Sequence, residues 1–172
     1  MRRGYIQVYT GNGKGKTTAA LGLALRAAGA GLRVFIAQFV KQRRCSEHKA
    51  LERFSDLITI RRCGKGFLRG KSPVKPDFES AEKGYREAKD IIASGQYDVV
   101  ILDEINVALH YGLLDIEDLL RVMENKPAGL ELVLTGRYAD ERIIAKADLV
   151  TEMKDIKHYS VSGVKARTGI EC

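Results

Sequence analysis

The sequence of 172 residues contains no tryptophan, three prolines and only three cysteines. The cysteines are Cys45, Cys63 and Cys172, and no C-x-x-C pair occurs among them. An odd count without paired spacing predicts neither a disulfide framework nor a structural zinc site. We therefore expect free thiols, as is usual in a reducing compartment.

Histidines and long apolar runs are also scarce. His48, His110 and His158 are scattered and show no metal-ligand spacing. No segment approaches the ~20 consecutive apolar residues of a membrane-spanning helix. The segment after Arg2 and Arg3 is too polar and too rich in glycine for a signal peptide. We expect a cytoplasmic protein with no membrane partner.

The charge balance is basic, with a formal net charge of +7. Such a charge favours polyanionic partners, and both nucleic acid and a nucleoside triphosphate qualify. The length suits a single domain over residues 1–172. Neither a repeat nor a linker divides the chain.

Apolar runs alternate with segments of helical periodicity along the chain. Strands are predicted at Tyr5–Tyr9, Arg33–Phe39, Leu57–Ile60, Val99–Asp103, Leu130–Thr135 and Leu149–Met153. Helices are predicted at Lys16–Ala28, Glu47–Phe54, Asp77–Ser94, Asp115–Glu124 and Asp140–Ala147, with Asp77 as the cap of its helix. A long loop rich in glycine, proline and lysine covers Cys63–Asp77. The alternation predicts an α/β fold of three layers, a mostly parallel sheet flanked by helices.

The stretch "YTGNGKGKTTAALG" connects the first strand to the first helix. It fits the phosphate-loop pattern G-x-x-x-x-G-K-[ST], except that its first glycine is Gly11 and position 10 is Thr10. Glycines allow backbone N–H groups to converge on phosphate oxygens, and the helix start adds its dipole. Lys16 is expected to meet the phosphates, and Thr17 a magnesium ion. The predicted ATP-binding residues of the loop are Thr10, Gly11, Asn12, Gly13, Lys14, Gly15, Lys16, Thr17 and Thr18. The motif indicates a P-loop NTPase-like, RecA-like domain.

An acidic pair follows the apolar strand "VVIL". Asp103 and Glu104 are the acids expected of a phosphate-loop protein, holding Mg²⁺ directly or through water. The residues alone leave open whether Glu104 binds metal or activates water.

Longer segments resemble a known family. "YTGNGKGKTTAALGLALRAAGAGLRVFIAQFVK", "GKGF", "VVILDE", "LVLTGR" and "HYSVSGVKARTGIE" occur in the order seen in the ATP:corrinoid adenosyltransferases of the cob(I)yrinic acid a,c-diamide type. The resemblance implies transfer of the 5′-deoxyadenosyl group of ATP to a Co(I) corrinoid, with release of triphosphate, in adenosylcobalamin biosynthesis or salvage. It further implies that the triphosphate lies reversed along the loop, that Lys16 is catalytic, that Thr17 and Glu104 bind magnesium and that Arg26 lies near the ribose. A homodimer and an electron donor for Co(II) are implied as well.

The chain departs from the family pattern after Phe67. Family members follow their Gly-x-Gly-Phe segment with Thr-Trp, and their Phe and Trp press on the lower face of the cobalt. Phe67 matches, whereas Leu68 and Arg69 replace the following pair. The resemblance implies that these three residues contact the corrinoid and that Phe67 is catalytic. Because three residues precede Gly4, we expect the N-terminal arm of some members to be absent.

Two other functions fit parts of the sequence. The fold and the basic charge suit a P-loop ATPase that acts on nucleic acid, and a nucleotide-binding regulator without catalysis is a third reading. Neither explains the Gly-Lys-Gly-Phe segment or the C-terminal segment.

Overall fold

The computed structural model describes residues 3–41, 44–66 and 72–171. Within these ranges, six strands form one sheet in the order β3-β2-β4-β5-β1-β6, and each neighbouring pair is parallel. The strands are β1 (Ile6–Thr10), β2 (Val34–Gln38), β3 (Ile58–Arg62), β4 (Val99–Asp103), β5 (Glu131–Thr135) and β6 (Leu149–Glu152). The predicted α/β fold is confirmed.

Six α-helices lie in the same ranges. They are α1 (Lys16–Gly29), α2 (Ser46–Leu51), α3 (Lys75–Ser94), α4 (Ile105–His110), α5 (Ile116–Asn125) and α6 (Glu141–Lys146). The short α4 is absent from the sequence prediction. Helix α3 begins two residues before Asp77, which corrects the predicted start. Asp77 lies in the first turn, where its Oδ2 accepts a hydrogen bond from the Val74 N–H at 2.9 Å.

The sheet is covered on both faces, which explains why β2 and β4 are apolar up to their last residue. Val34 and Ile36 of β2 pack in one cluster with the alanines of α1. Phe35 and Ala37 point to the other face, into a cluster that includes residues of α3, α5 and α6. Successive side chains of a strand point to opposite faces. A strand buried on both sides therefore favours apolar residues on both faces, and here polar side chains stand only at the carboxyl ends of β2 and β4.

The strand order brings three carboxyl ends together. β5 lies between β1 and β4. In the register of β2 and β4, Gln38 is opposite Asp103. The residues that follow β1, β4 and β5 therefore meet at one edge of the sheet, where ligands bind in parallel α/β folds.

Of the two cysteines that the structure describes, one agrees with the expectation of free thiols and one does not. Cys63 is a buried free thiol, and burial raises its pKa to about 11. Cys45 is held in a disulfide, so the expectation of free thiols is wrong for this residue.

In the portion of the chain described, every helix is too short or too polar to cross a bilayer.

Candidate nucleotide and metal site

The displaced glycine of the phosphate loop has a structural cause. Thr10 is the last residue of β1 and pairs with Glu152 of β6, so the strand occupies the position where the motif expects glycine. Gly11 then turns the chain with φ 91°. A Cβ atom on Gly11 would lie 2.5 Å from the carbonyl oxygen of Met153. Position 11 therefore requires glycine for both its backbone angle and the close approach of residue 153.

Lys16 lies inside the curve of the loop. Its Nζ donates hydrogen bonds to the carbonyl oxygens of Gly11 and Gly13, each at 2.7 Å. The residue is buried, and this burial lowers the pKa of its ammonium group. Gly15, which precedes α1, offers no side-chain cap to the first turn of the helix. The N–H groups of that turn are thus suited to bind an anion.

Asp103 is fully buried and is surrounded by donors. Its Oδ1 accepts hydrogen bonds from the hydroxyls of Thr17 at 2.8 Å and Thr135 at 2.7 Å. Its Oδ2 accepts from Gln38 Nε2 at 3.0 Å and from Lys41 Nζ at 3.3 Å. Four donors on one carboxylate fix its orientation.

Glu104 follows in a left-handed conformation, with φ 61°. Its N–H donates to the Thr135 hydroxyl at 2.9 Å. Burial raises the pKa of its carboxyl group, and the neighbouring Asp103 charge adds to this effect. Among the residues that the structure describes, no group donates a hydrogen bond to the Glu104 carboxylate, which leaves its oxygens available.

The donor set fits magnesium. The hydroxyl of Thr17 and the carboxylates of Asp103 and Glu104 are oxygen ligands, which hard cations prefer. Over residues 3–41, 44–66 and 72–171, no group of three or more His, Cys, Asp or Glu side chains is arranged to hold a metal ion. A magnesium ion here would need further oxygens from a nucleotide, which is how this ion usually binds in nucleotide sites.

The C-terminal segment covers the phosphate loop. The Gly13 N–H donates to the Met153 carbonyl oxygen at 2.6 Å. Lys14 Nζ donates to the Tyr159 hydroxyl at 2.9 Å and to Glu171 Oε1 at 3.0 Å. The pKa of the Glu171 carboxyl group is lowered, mainly by its hydrogen bond from Arg167 and next by that from Tyr159. A lysine predicted to contact phosphates is thus paired with a carboxylate from the chain end.

Other predicted residues lie in several places. Asn12, within the loop, and Thr18, in the first turn of α1, are both exposed. Arg26 is exposed in the last turn of α1, ten residues after Lys16. This separation is about 15 Å along the helix axis. The proposed contact of Arg26 with a ribose stays a prediction.

The predicted corrinoid contacts cannot be placed in the same way. Phe67, Leu68 and Arg69 lie outside the described residues.

Sequence reasoning missed four residues of the site. Gln38, Lys41 and Thr135 lie within segments that carry the family resemblance, but neither the phosphate-loop pattern nor the acidic pair gives them a role. Exposed Arg137 follows β5 closely enough that its charge acts on the pKa of both Lys16 and Glu104. Their common feature is a position at the carboxyl ends of the strands, where ligands bind in parallel α/β folds, and this feature could have identified them from the sequence.

Known proteins match the chain over nearly its whole length. The model of the family ATP:corrinoid adenosyltransferase BtuR/CobO/CobP matches residues 2–172. A corrinoid adenosyltransferase of Sinorhizobium sp is 40% identical over 172 residues, which cover 98% of this chain and 80% of that protein. A corrinoid adenosyltransferase of Pseudomonas aeruginosa is 36% identical over 170 residues, with coverages of 98% and 84%. One from Escherichia coli (strain K12) is 35% identical over 175 residues, with coverages of 98% and 86%.

These matches confirm the resemblance found in the sequence and do not favour the nucleic-acid ATPase. The chain belongs to the ATP:corrinoid adenosyltransferase family.

Proposed function

We propose that the loop from Thr10 to Thr18 holds the triphosphate of ATP as a leaving group during adenosyl transfer to a corrinoid. The observation that supports this role most strongly is the position of Lys16. Its ammonium group lies inside the glycine loop, within 2.7 Å of two loop carbonyl oxygens. Only a short movement would bring it to a phosphate oxygen in the same cradle.

The chemistry assigns the residues a supporting role. The Co(I) centre of the corrinoid substrate donates an electron pair to C5′ of ATP, which forms a Co–C bond and oxidises the cobalt formally to Co(III). The C5′–O bond breaks, and triphosphate leaves with the bonding pair. Co(I) is already a strong nucleophile, so the protein has to orient the reactants and stabilise the leaving group. Lys16, Lys14 and the N–H groups at the start of α1 are placed to stabilise the growing negative charge.

We propose Thr17, Glu104 and Asp103 as the magnesium site. Bound magnesium would neutralise part of the triphosphate charge. Thr17 and Glu104 have the more accessible oxygens, whereas Asp103 is held by four donors and orients Thr17.

We propose further that Phe67, Leu68 and Arg69 contact the corrinoid, as the resemblance implies. Reduction of Co(II) to Co(I) would use a separate electron donor, as the resemblance implies. ATP is a cytoplasmic metabolite, and we place the enzyme in the cytoplasm for that reason.

A second copy of the chain is the partner that we propose for the β6 edge. Leu149 is 45% exposed and Val150 41% exposed, which leaves apolar surface on the outermost strand of the sheet that the structure describes. Sedimentation velocity should give a dimer, and Leu149→Lys should shift it to a monomer. Ile156→Lys, at a position that is 93% exposed, is the matched control. A dimer unchanged by Leu149→Lys would exclude this edge.

The activity can be tested with ATP and a chemically reduced corrinoid. A light-sensitive alkylcobalt spectrum and an equal amount of free triphosphate are expected. Lys16→Ala should lose ATP binding or turnover while keeping the fold, since the charge that meets the phosphates is removed. Normal ATP affinity and rate in a folded Lys16→Ala protein would contradict the loop assignment. Release of orthophosphate stimulated by DNA would instead support an ATPase.

A further inference from the structure

Lys41 contacts oxygens of two of the three residues that we propose for magnesium. Its Nζ lies 3.0 Å from Thr17 Oγ1 and 3.3 Å from Asp103 Oδ2. The pair is largely shielded, because the Lys41 side chain is 15% exposed and that of Asp103 is 1% exposed. A shielded ion pair is screened less by solvent than a surface pair.

The backbone directs Lys41 into this position. Val40 adopts φ 65°, an unusual angle for a β-branched residue. The Lys41 N–H donates to the Phe39 carbonyl oxygen at 2.7 Å, which closes a tight turn after β2. Gly64 backs this turn, and a Cβ atom there would lie 2.5 Å from backbone atoms of Val40. A residue in an unusual backbone conformation that neighbouring backbone holds in place is typical of functional positions.

The other donor to the same Asp103 oxygen is fixed. Gln38 Oε1 lies 2.6 Å from His48 Nε2. His48 Nδ1 accepts a hydrogen bond from the Cys45 N–H at 2.9 Å, so Nε2 carries the proton and donates to Gln38. This contact turns the Gln38 amide group toward Asp103. Lys41, on its longer and partly exposed side chain, is the exchangeable partner.

We propose that Lys41 competes with the divalent cation for Thr17 and Asp103, so that the metal enters together with the nucleotide. This inference rests on the proposed magnesium site. Magnesium binds its oxygen ligands at about 2.1 Å. An ion at that distance from Thr17 Oγ1 and an ammonium group on the same oxygen repel each other strongly. The triphosphate of ATP, bound at the adjacent loop, offers the ammonium group a new anionic partner.

Binding of Mn²⁺ to the protein without nucleotide tests the competition. Free Mn²⁺ can be counted by electron paramagnetic resonance, without any measurement of activity. Lys41→Met removes the charge and keeps most of the side-chain volume, and it should bind Mn²⁺ roughly tenfold more tightly than the wild type, as for a shielded pair. Lys49→Met, at an exposed position on α2, makes the same change in net charge and should leave the affinity unchanged.

Further variants decide what the result means. Adding Asp103→Asn to Lys41→Met should abolish the gain, and Lys41→Gln should reproduce it if the Met variant folds poorly. Equal Mn²⁺ affinity of the Lys41 variants and the wild type would overturn the inference, and so would a gain that survives Asp103→Asn. With ATP present, Thr17→Ala should weaken Mn²⁺ binding. Unchanged Mn²⁺ binding in that case would overturn the metal site itself and the inference with it.

Discussion

The hydroxyl of Thr17 donates a hydrogen bond to the carboxylate of Asp103 across 2.8 Å. The contact joins the start of α1 to the end of β4, and its two residues are 86 positions apart in the sequence. It orients the Thr17 hydroxyl through its proton, and the lone pairs of the oxygen remain for a cation. The phosphate loop and the acidic strand are thereby coupled through one side chain.

The first prediction concerns this coupling. Thr17→Ala should raise the magnesium concentration for half-maximal adenosyl transfer by roughly 10- to 100-fold, the range seen when groups of a metal site are removed. Ser55→Ala, which removes an exposed hydroxyl outside the phosphate loop, should change it little. A magnesium titration of both variants at saturating ATP measures the difference. If the two titrations coincide with that of the wild type, the metal lies elsewhere.

The second prediction concerns pH. Burial raises the pKa of Glu104 above its ordinary 4.5, so this carboxylate takes up a proton at a higher pH than a free glutamate does. Magnesium binds the ionised form. Affinity for the metal should therefore fall as the pH decreases, starting above the ordinary glutamate range. Glu104→Gln should lower the affinity for magnesium and make it less dependent on pH. Glu117→Gln, at an exposed position, should keep the pH dependence of the wild type. A profile identical in all three proteins would remove Glu104 from the site.

The sequence predicts those parts of the molecule that depend on local pattern. The strands β2 and β4 are recognisable because burial on both faces demands unbroken apolar runs. The phosphate loop is recognisable because backbone curvature at Gly11 and Gly15 leaves few other residue choices. The short α4 could not be predicted, since six residues carry too little periodicity.

Other parts depend on contacts between distant segments. The donors around Asp103 come from the ends of β2 and β5, and only the strand order brings them to one carboxylate. The C-terminal segment meets the loop through Tyr159 and Glu171, which no local pattern links to Lys14. Alternation of strands and helices gives the fold class but not the order of strands.

Two helical glycines provide a matched test of packing. A Cβ atom on Gly84 of α3 would lie 2.3 Å from both Cβ and Sγ of Cys63, whereas nothing lies within 4 Å of one on Gly22 of α1. Gly84→Ala should lower the free energy of unfolding by about 1–3 kcal/mol through overpacking. Gly22→Ala should raise it by about 0.5–1 kcal/mol, because alanine favours the helix. Urea denaturation gives both values, and equal effects of the two variants would contradict the close contact.

The next prediction concerns the C-terminal segment. Glu171 pairs with Lys14, so a triphosphate at the loop must compete with this carboxylate. Glu171→Gln should tighten ATP binding by roughly two- to fivefold, the range of a solvent-accessible ion pair, and the gain should shrink at high salt. Glu79→Gln, which removes a distant exposed pair with Lys75, is the control. Weaker ATP binding in Glu171→Gln would mean that the segment supports the loop rather than competing for it.

The last prediction concerns the loop after Cys63, within which Phe67 is proposed to act on the cobalt. The resemblance assigns Phe67 to the lower face of the corrin, where an apolar side chain displaces the axial ligand and eases reduction to Co(I). Phe67→Ala should therefore lower turnover with a Co(II) corrinoid under a mild reductant. It should do much less harm when Co(I) is supplied ready-made, because alkylation does not need the ligand removed.

Arg69 allows the converse experiment. It replaces the tryptophan that follows the Gly-x-Gly-Phe segment in family members, and a cation cannot serve as an apolar wedge. Arg69→Trp should raise the rate that depends on Co(II) and leave the rate with supplied Co(I) almost unchanged. Lys75→Trp, at the start of α3, controls for a nonspecific effect of an added aromatic residue. Comparing the two rates separates reduction from alkylation for every variant. Equal losses of both rates in Phe67→Ala would show that this residue binds the corrinoid without displacing its ligand.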